Sequence, residues 1–424
     1  ALMDAAKHAV KDAVAWLEEQ QRNWETETLG TELLTALREL RNPLQSWEVI
    51  GAHQDESQAS EIAKKELQSL HQLCWTKLHG SSTRVLAPWR EVFALCCFMR
   101  SELLCLPGDQ DQLEALRLLD LGLILGGPET QMAPELHRKA ELLAEDLSRR
   151  KKRSYQQGPC EDAGVATMLT SSNMAEAAIV PLVPCVSVEK LSMETFLVSY
   201  FSTKLPVKVR QGCQSWPAIR RWCHETFWSQ SALGQRFVPV ETDYWMEEGF
   251  NVMQLKDFIA QCQVSSTSKN PSKGGYLAQH ALLDQLPILE ADVLTPDLAL
   301  CGSTGTVLRQ AFFGPQGTVT PLHWDPYENI FCQVVGKKYL RLYPPSESEK
   351  LYPRDKDLMN NSRIDPPDVL EGATSIYEET FPDFLKAKFQ DVVLEPGDLL
   401  YLPMGWWHFV KSCSVSISVA FHFT

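Results

Sequence analysis

At 424 residues the chain is long enough for two domains that each bury a core. A formal net charge of -14 argues against wholesale, non-specific nucleic-acid binding, which needs a basic surface, and suits a partner that is itself basic. No apolar run approaches the ~18 residues that span a bilayer and no secretory signal opens the chain, so a soluble protein with reduced cysteines is expected.

Residues 1–150 carry the helical period. Leu33, Leu37 and Leu40 predict a helix that ends at Arg41-Asn42-Pro43. In PWREVFALCCFMRSELL, Val92, Cys96, Met99 and Leu103 recur at intervals of four, three and four, with Pro88 placed to start the helix. Leu113, Leu116, Leu119 and Leu123 continue the pattern until Gly126-Gly127-Pro128 stops it. Helices joined by short loops predict a bundle or an array of helical hairpins, fit to dock a partner, although no repeat consensus is legible. The cysteines lack C-x-x-C spacing, which argues against a structural zinc site. The basic run Arg149-Arg150-Lys151-Lys152-Arg153 reads either as a solvated helix end or as the opening of an exposed linker, taken as 151–175, and is a candidate nuclear-import signal.

From residue 176 to 424 short apolar runs alternate with Gly-Pro, Pro-Gly-Asp and Gly-Lys turns, the pattern of an antiparallel sandwich or barrel. In GTVTPLHWDPYENIF, His323 and Asp325 are two apart, so on one strand they project together, with the parity of Val319 and Pro321. His408, in EPGDLLYLPMGWWHF, lies within reach of a returning antiparallel strand. Two imidazoles and a carboxylate form a facial triad that leaves one side of an octahedral ion open, as in non-haem Fe(II) oxygenases. Lys338 follows the Gly336-Lys337 turn and shares a face with Leu340 and Leu342, an odd place for a cation unless an anion meets it there. A dicarboxylate with one end on the metal and the other on the ammonium fits this pair, and 2-oxoglutarate is such a molecule.

Read with these residues, the runs VPVE, GGYLAQH, FFGPQGTVTPLHWDP, QVVGKKYLRLYP and PGDLLYLPMGWWHFV resemble the Jumonji C (JmjC) family of 2-oxoglutarate oxygenases. The resemblance implies an α+β chain: an all-α domain, then a JmjC double-stranded β-helix of the jelly-roll, cupin-like kind. It implies Fe(II) on His323, Asp325 and His408, and 2-oxoglutarate on Tyr276, Thr320, Asn329 and Lys338. Glu241 and Gln279 would lie near the substrate, with Phe312 and Trp324 beside them. The chain departs from the family at FHFT, which puts His422 where a Trp borders the cosubstrate, and at Phe312, where relatives often carry Trp.

The implied reaction consumes O2, with ascorbate as reductant in vitro, and acts on a basic arginine- or lysine-containing protein such as a histone or a ribosomal or chromatin protein. Its product would be arginine hydroxylated at C3. The alternatives are N-methyl demethylation of a histone lysine, of the type acting on the histone H3 tail, by the same chemistry, and a non-catalytic scaffold. The resemblance further implies a nuclear role in gene regulation, circadian rhythm included, with a cytoplasmic share. No membrane and no sequence-specific nucleic-acid contact are expected. Since the chain ends directly after its last predicted strand, without the dimerising helices of related hydroxylases, a monomer is expected.

Overall fold

The computed structural model describes residues 56–79, 87–105, 111–155, 182–229, 232–241, 250–267, 275–355, 358–364 and 380–424, besides residues 11, 14, 15 and 19. The helix expected around Leu33 and the stretch 156–181 lie outside them. The chain divides into two compact units.

The first unit is built on helices α1 (Glu56–His79), α2 (Ala87–Leu104), α3 (Gln112–Gly126) and α4 (Ala133–Tyr155). Val92, Cys96, Met99 and Leu103 are buried as their spacing predicts, and Phe93, Leu95, Cys97 and Phe98 are buried too, so α2 is covered on nearly every face. α3 starts where the Asp111 carboxylate accepts the Glu114 N–H at 3.0 Å, and it ends at Gly127, whose φ of 84° suits glycine. Leu116, Leu119 and Leu123 are buried, whereas Leu113, expected on the same stripe, is exposed in the first turn. The basic run completes α4 through Tyr155, and Arg149 and Arg150 pair one turn back with Glu145 and Asp146. Buried Glu91 accepts the Gln131 and Met132 N–H groups, capping the start of α4 from another helix.

This unit also takes in two later stretches, described over 232–239 and 250–256. Their anchor is Asp120 on α3, fully buried, which accepts from Arg236 Nε at 2.8 Å and Nη2 at 2.6 Å and from the Phe237 N–H at 2.7 Å. Phe237 packs into the helical core.

The second unit holds two sheets. Along the whole chain the strands are β1 (Cys185–Ser187), β2 (Val207–Arg210), β3 (Phe237–Val240), β4 (Asn251–Gln254), β5 (Leu277–His280), β6 (Leu308–Gly314), β7 (Val319–His323), β8 (Glu328–Val335), β9 (Lys338–Tyr343), β10 (Gln390–Leu394), β11 (Leu399–Leu402), β12 (Trp407–Ser412) and β13 (Ser416–Phe423). β3 and β4 form a separate pair. The larger sheet runs β1-β2-β11-β8-β13-β6-β5 and the smaller β10-β9-β12-β7. This is the jelly-roll, cupin-like architecture expected for the C-terminal half.

Strand alternation sorts the side chains. On β9, Leu340 and Leu342 join the core shared by the two sheets, while Tyr339 and Tyr343 pack in a second cluster on the other face. On β12, Val410 faces the first core, and Trp407 and Phe409 the second. His408 and Lys338 share the parity of the first set, which turns them inward. The eleven described cysteines are all free, and no described helix is long and apolar enough to cross a membrane.

Candidate metal centre

His323 closes β7 and His408 is the second residue of β12; the two are register partners, with ring centroids 4.1 Å apart. Asp325 lies two residues past the end of β7, outside the strand. The Gly405 N–H holds its backbone carbonyl at 3.1 Å. Its Oδ1 is 3.8 Å from His323 Nε2 and its Oδ2 is 3.7 Å from His408 Nε2. The donor atoms of the three residues all fall within 4.8 Å of one another.

Second partners set the tautomers of both histidines. Nδ1 of His323 donates to the Pro321 carbonyl at 2.7 Å, and Nδ1 of His408 to the Trp406 carbonyl at 3.1 Å. Each ring therefore presents a bare Nε2, the form that binds a metal. Burial, with the His323 imidazole beside it, lowers the His408 pKa to about 3, so this ligand stays neutral. Burial opposes the charge on Asp325, but His408, His323 and His422 outweigh it and keep the carboxyl below its ordinary range.

The strand parity read from the sequence needs correction. His408 pairs with His323 but Val410 pairs with Thr320, so β7 carries an extra residue there. This bulge resets the alternation: Thr320 and His323 line one cavity, while Val319 packs with the outer cluster. Pro321 sits within the bulge on an edge strand, where its missing N–H costs no central ladder bond.

The same cavity is lined by Tyr276, Gln279, Phe312, Asn329, Lys338 and His422. Lys338 is 1 % exposed, its ammonium 3.4 Å from the Tyr276 hydroxyl and equally close, at 5.3 Å, to the Phe312 and Phe331 ring centroids. No carboxylate among the described residues pairs with it, and burial lowers its pKa to about 7. Burial raises the Tyr276 phenol above the ordinary range, and the Thr320 hydroxyl beside it opposes the rise. Asn329 Oδ1 is buried with no hydrogen-bond partner. A buried cation and an orphaned amide in a cavity that also holds three metal-binding groups fit a small anion with metal-chelating oxygens.

Gln279 reaches the cavity from a left-handed backbone, φ 47°, in a bulge where three steps along β5 match two along β6. Phe312 lines the cavity beside Lys338. Glu241 is exposed and does not line the cavity, but its backbone bonds Tyr276 both ways, and the groups packed around its carboxyl raise its pKa. Trp324 does not line the cavity: it packs in the outer cluster with Leu322 and Tyr352. Sequence reasoning missed Glu328, buried, whose Oε2 accepts the Tyr401 hydroxyl at 2.7 Å and the Met404 N–H at 3.2 Å and whose Oε1 meets Lys204. It ties down the loop that delivers His408; a glutamate at a strand start carries no signal of that role.

Residues 193–424 match the cupin-like domain family, and residues 49–157 match the KDM8-like N-terminal ARM repeats. The chain is 34% identical over 375 residues to lysine-specific demethylase JMJ30 of Arabidopsis thaliana, covering 82% of this chain and 83% of that protein. It is 29% identical over 384 residues to lysine-specific demethylase 8 of Danio rerio, covering 85% and 87%. Over 244 residues it is 37% identical to Jumonji C domain-containing protein 5 of Drosophila melanogaster, covering 54% and 57%.

Proposed function

The chain belongs to the JmjC branch of the cupin-like family, with KDM8-like ARM repeats ahead of the barrel, and from that premise we propose that this 2-oxoglutarate-dependent oxygenase hydroxylates arginine side chains of basic proteins at C3. His323, Asp325 and His408 would hold Fe(II), and Lys338, Tyr276, Thr320 and Asn329 the cosubstrate, with His422 beside it. When bound, iron and 2-oxoglutarate couple O2 reduction to decarboxylation and deliver one oxygen atom to a substrate C–H bond. The observation that carries this reading is the pairing, in one cavity, of three convergent metal-binding groups with a buried ammonium that has no acidic partner among the described residues.

The protein's own groups do the positioning. Backbone carbonyls keep both imidazoles in the ligating tautomer. Lys338 would give a cosubstrate carboxylate its cation, and the Tyr276 and Thr320 hydroxyls would add donors. Glu241, exposed beside Tyr276, offers an incoming guanidinium a carboxylate to pair with. A basic nuclear protein such as a histone suits the net charge of -14.

Lysine N-methyl demethylation is the second reading, favoured by the names that the Arabidopsis and Danio relatives carry. Mass spectrometry decides between them on arginine-containing and N-methyl-lysine peptides incubated with Fe(II), 2-oxoglutarate and ascorbate. Gain of one oxygen without formaldehyde supports hydroxylation; loss of a methylene with formaldehyde supports demethylation. If neither peptide changes and Asp325→Ala consumes 2-oxoglutarate as fast as the wild type, both readings fail.

A further inference from the structure

Three imidazoles surround Asp325, and they are not equivalent. His422 Nε2 is 3.8 Å from Asp325 Oδ2, as near the carboxylate as His323 is on its other oxygen. His422 is 5 % exposed and lines the cavity. Its backbone is fixed between two strands, opposite Asn329 on β8 and Leu308 on β6, and the Tyr327 ring lies 5.9 Å from its own.

Tautomer separates it from the other two. His323 and His408 carry their protons on Nδ1, held by carbonyls, so neither can donate to Asp325 while neutral. No such bond fixes Nδ1 of His422 among the described residues. Its Nε2 faces a carboxylate oxygen, and a lone pair aimed at that oxygen would be repelled, so the proton belongs on Nε2. A carboxylate that binds an ion through one oxygen leaves the other in need of a donor, and outer partners of this kind tune metal affinity. The 3.8 Å separation exceeds an ordinary N–H···O length of about 2.9 Å, so the donation requires the ring and the carboxylate to draw together.

We propose that His422 is a positioning residue for the metal centre: its Nε2–H donates to Asp325 Oδ2 and holds the carboxylate in its ligating orientation. The proposal rests on the metal-centre reading above, and it excludes His422 as a fourth ligand through Nε2, the nitrogen that faces Asp325, because a protonated Nε2 has no lone pair to give.

The test is Mn(II) titration of the whole chain, followed by EPR of the free ion, with the visible spectrum of the Co(II)-loaded protein beside it. Glutamine places an amide near the position of Nε2, asparagine near Nδ1, and leucine offers none. His422→Leu and His422→Asn should weaken Mn(II) binding about 10-fold or more and shift the Co(II) bands. His422→Gln should stay within about threefold of wild type and keep its spectrum. The asparagine–glutamine contrast holds polarity nearly constant, so it survives any packing defect that leucine brings. Equal affinities in all four proteins would overturn the proposal, as would a third imidazole nitrogen in the EPR of the Cu(II)-loaded protein. Wild-type binding no tighter than that of Asp325→Ala would instead remove the metal centre itself.

Discussion

An ammonium sealed from water loses hydration that only an anion restores, and Lys338 is in that position. Its pKa is about 7 in the folded protein against an ordinary 10.5, so it binds its proton less readily when folded. The resulting destabilisation is complete below about pH 7, shrinks as pH rises, and vanishes above the unfolded value. Lys338→Met should therefore stabilise the cosubstrate-free protein by roughly 2–4 kcal/mol at pH 7, read from urea midpoints, with the gain fading toward about pH 10. The same variant should lose the thermal shift that 2-oxoglutarate gives the wild type. A dicarboxylate must find the lysine charged, so cosubstrate affinity in the wild type should fall as pH rises above about 7. Calorimetry in buffers of different ionisation enthalpy should show proton uptake there; binding unchanged from about pH 6 to 9 would refute the role. Lys338 was legible because a cation on the face of Leu340 and Leu342 breaks the pattern of its strand. Trp324 packs with the outer cluster instead of lining the cavity, because adjacency to two ligands in the sequence says nothing about direction.

At the scale of elements, the hairpin that delivers Lys338 turns at Gly336, whose φ is +69°. A Cβ there would overlap the Val415 carbonyl oxygen and crowd Ser414 Oγ. Gly336→Ala combines a disfavoured backbone with that clash and should cost about 3 kcal/mol or more, lowering the thermal midpoint with and without metal. A variant as stable as wild type would show that the turn relaxes freely. This turn was readable from Gly336-Lys337 between two apolar runs. The bulges in β5 and β7 were not, because an extra residue in one strand exists only relative to its partner. They matter here: one brings Thr320 to the side of His323, and the other aims Gln279 into the cavity from a left-handed backbone.

Across the whole molecule, the change of period from helical to alternating divided the chain into its two kinds of structure. It could not reveal that 232–239 and 250–256 belong with the helices, since that depends on Asp120 meeting Arg236 across 116 residues. Asp120→Asn removes the buried carboxylate that accepts from both Arg236 and the Phe237 N–H and should cost about 3 kcal/mol or more in denaturant unfolding followed by far-ultraviolet circular dichroism. Charge makes the last prediction. With a net charge of -14 and Glu241 exposed beside Tyr276, the protein should draw in a basic peptide through a field that salt screens over about 10 Å at 0.1 M. Raising ionic strength should therefore increase KM several-fold while kcat holds, because screening weakens encounter and leaves the buried reaction site untouched. Glu241→Gln should raise KM at low salt and flatten its dependence on salt. A KM indifferent to salt in the wild type would mean that this surface does not select its partner by charge.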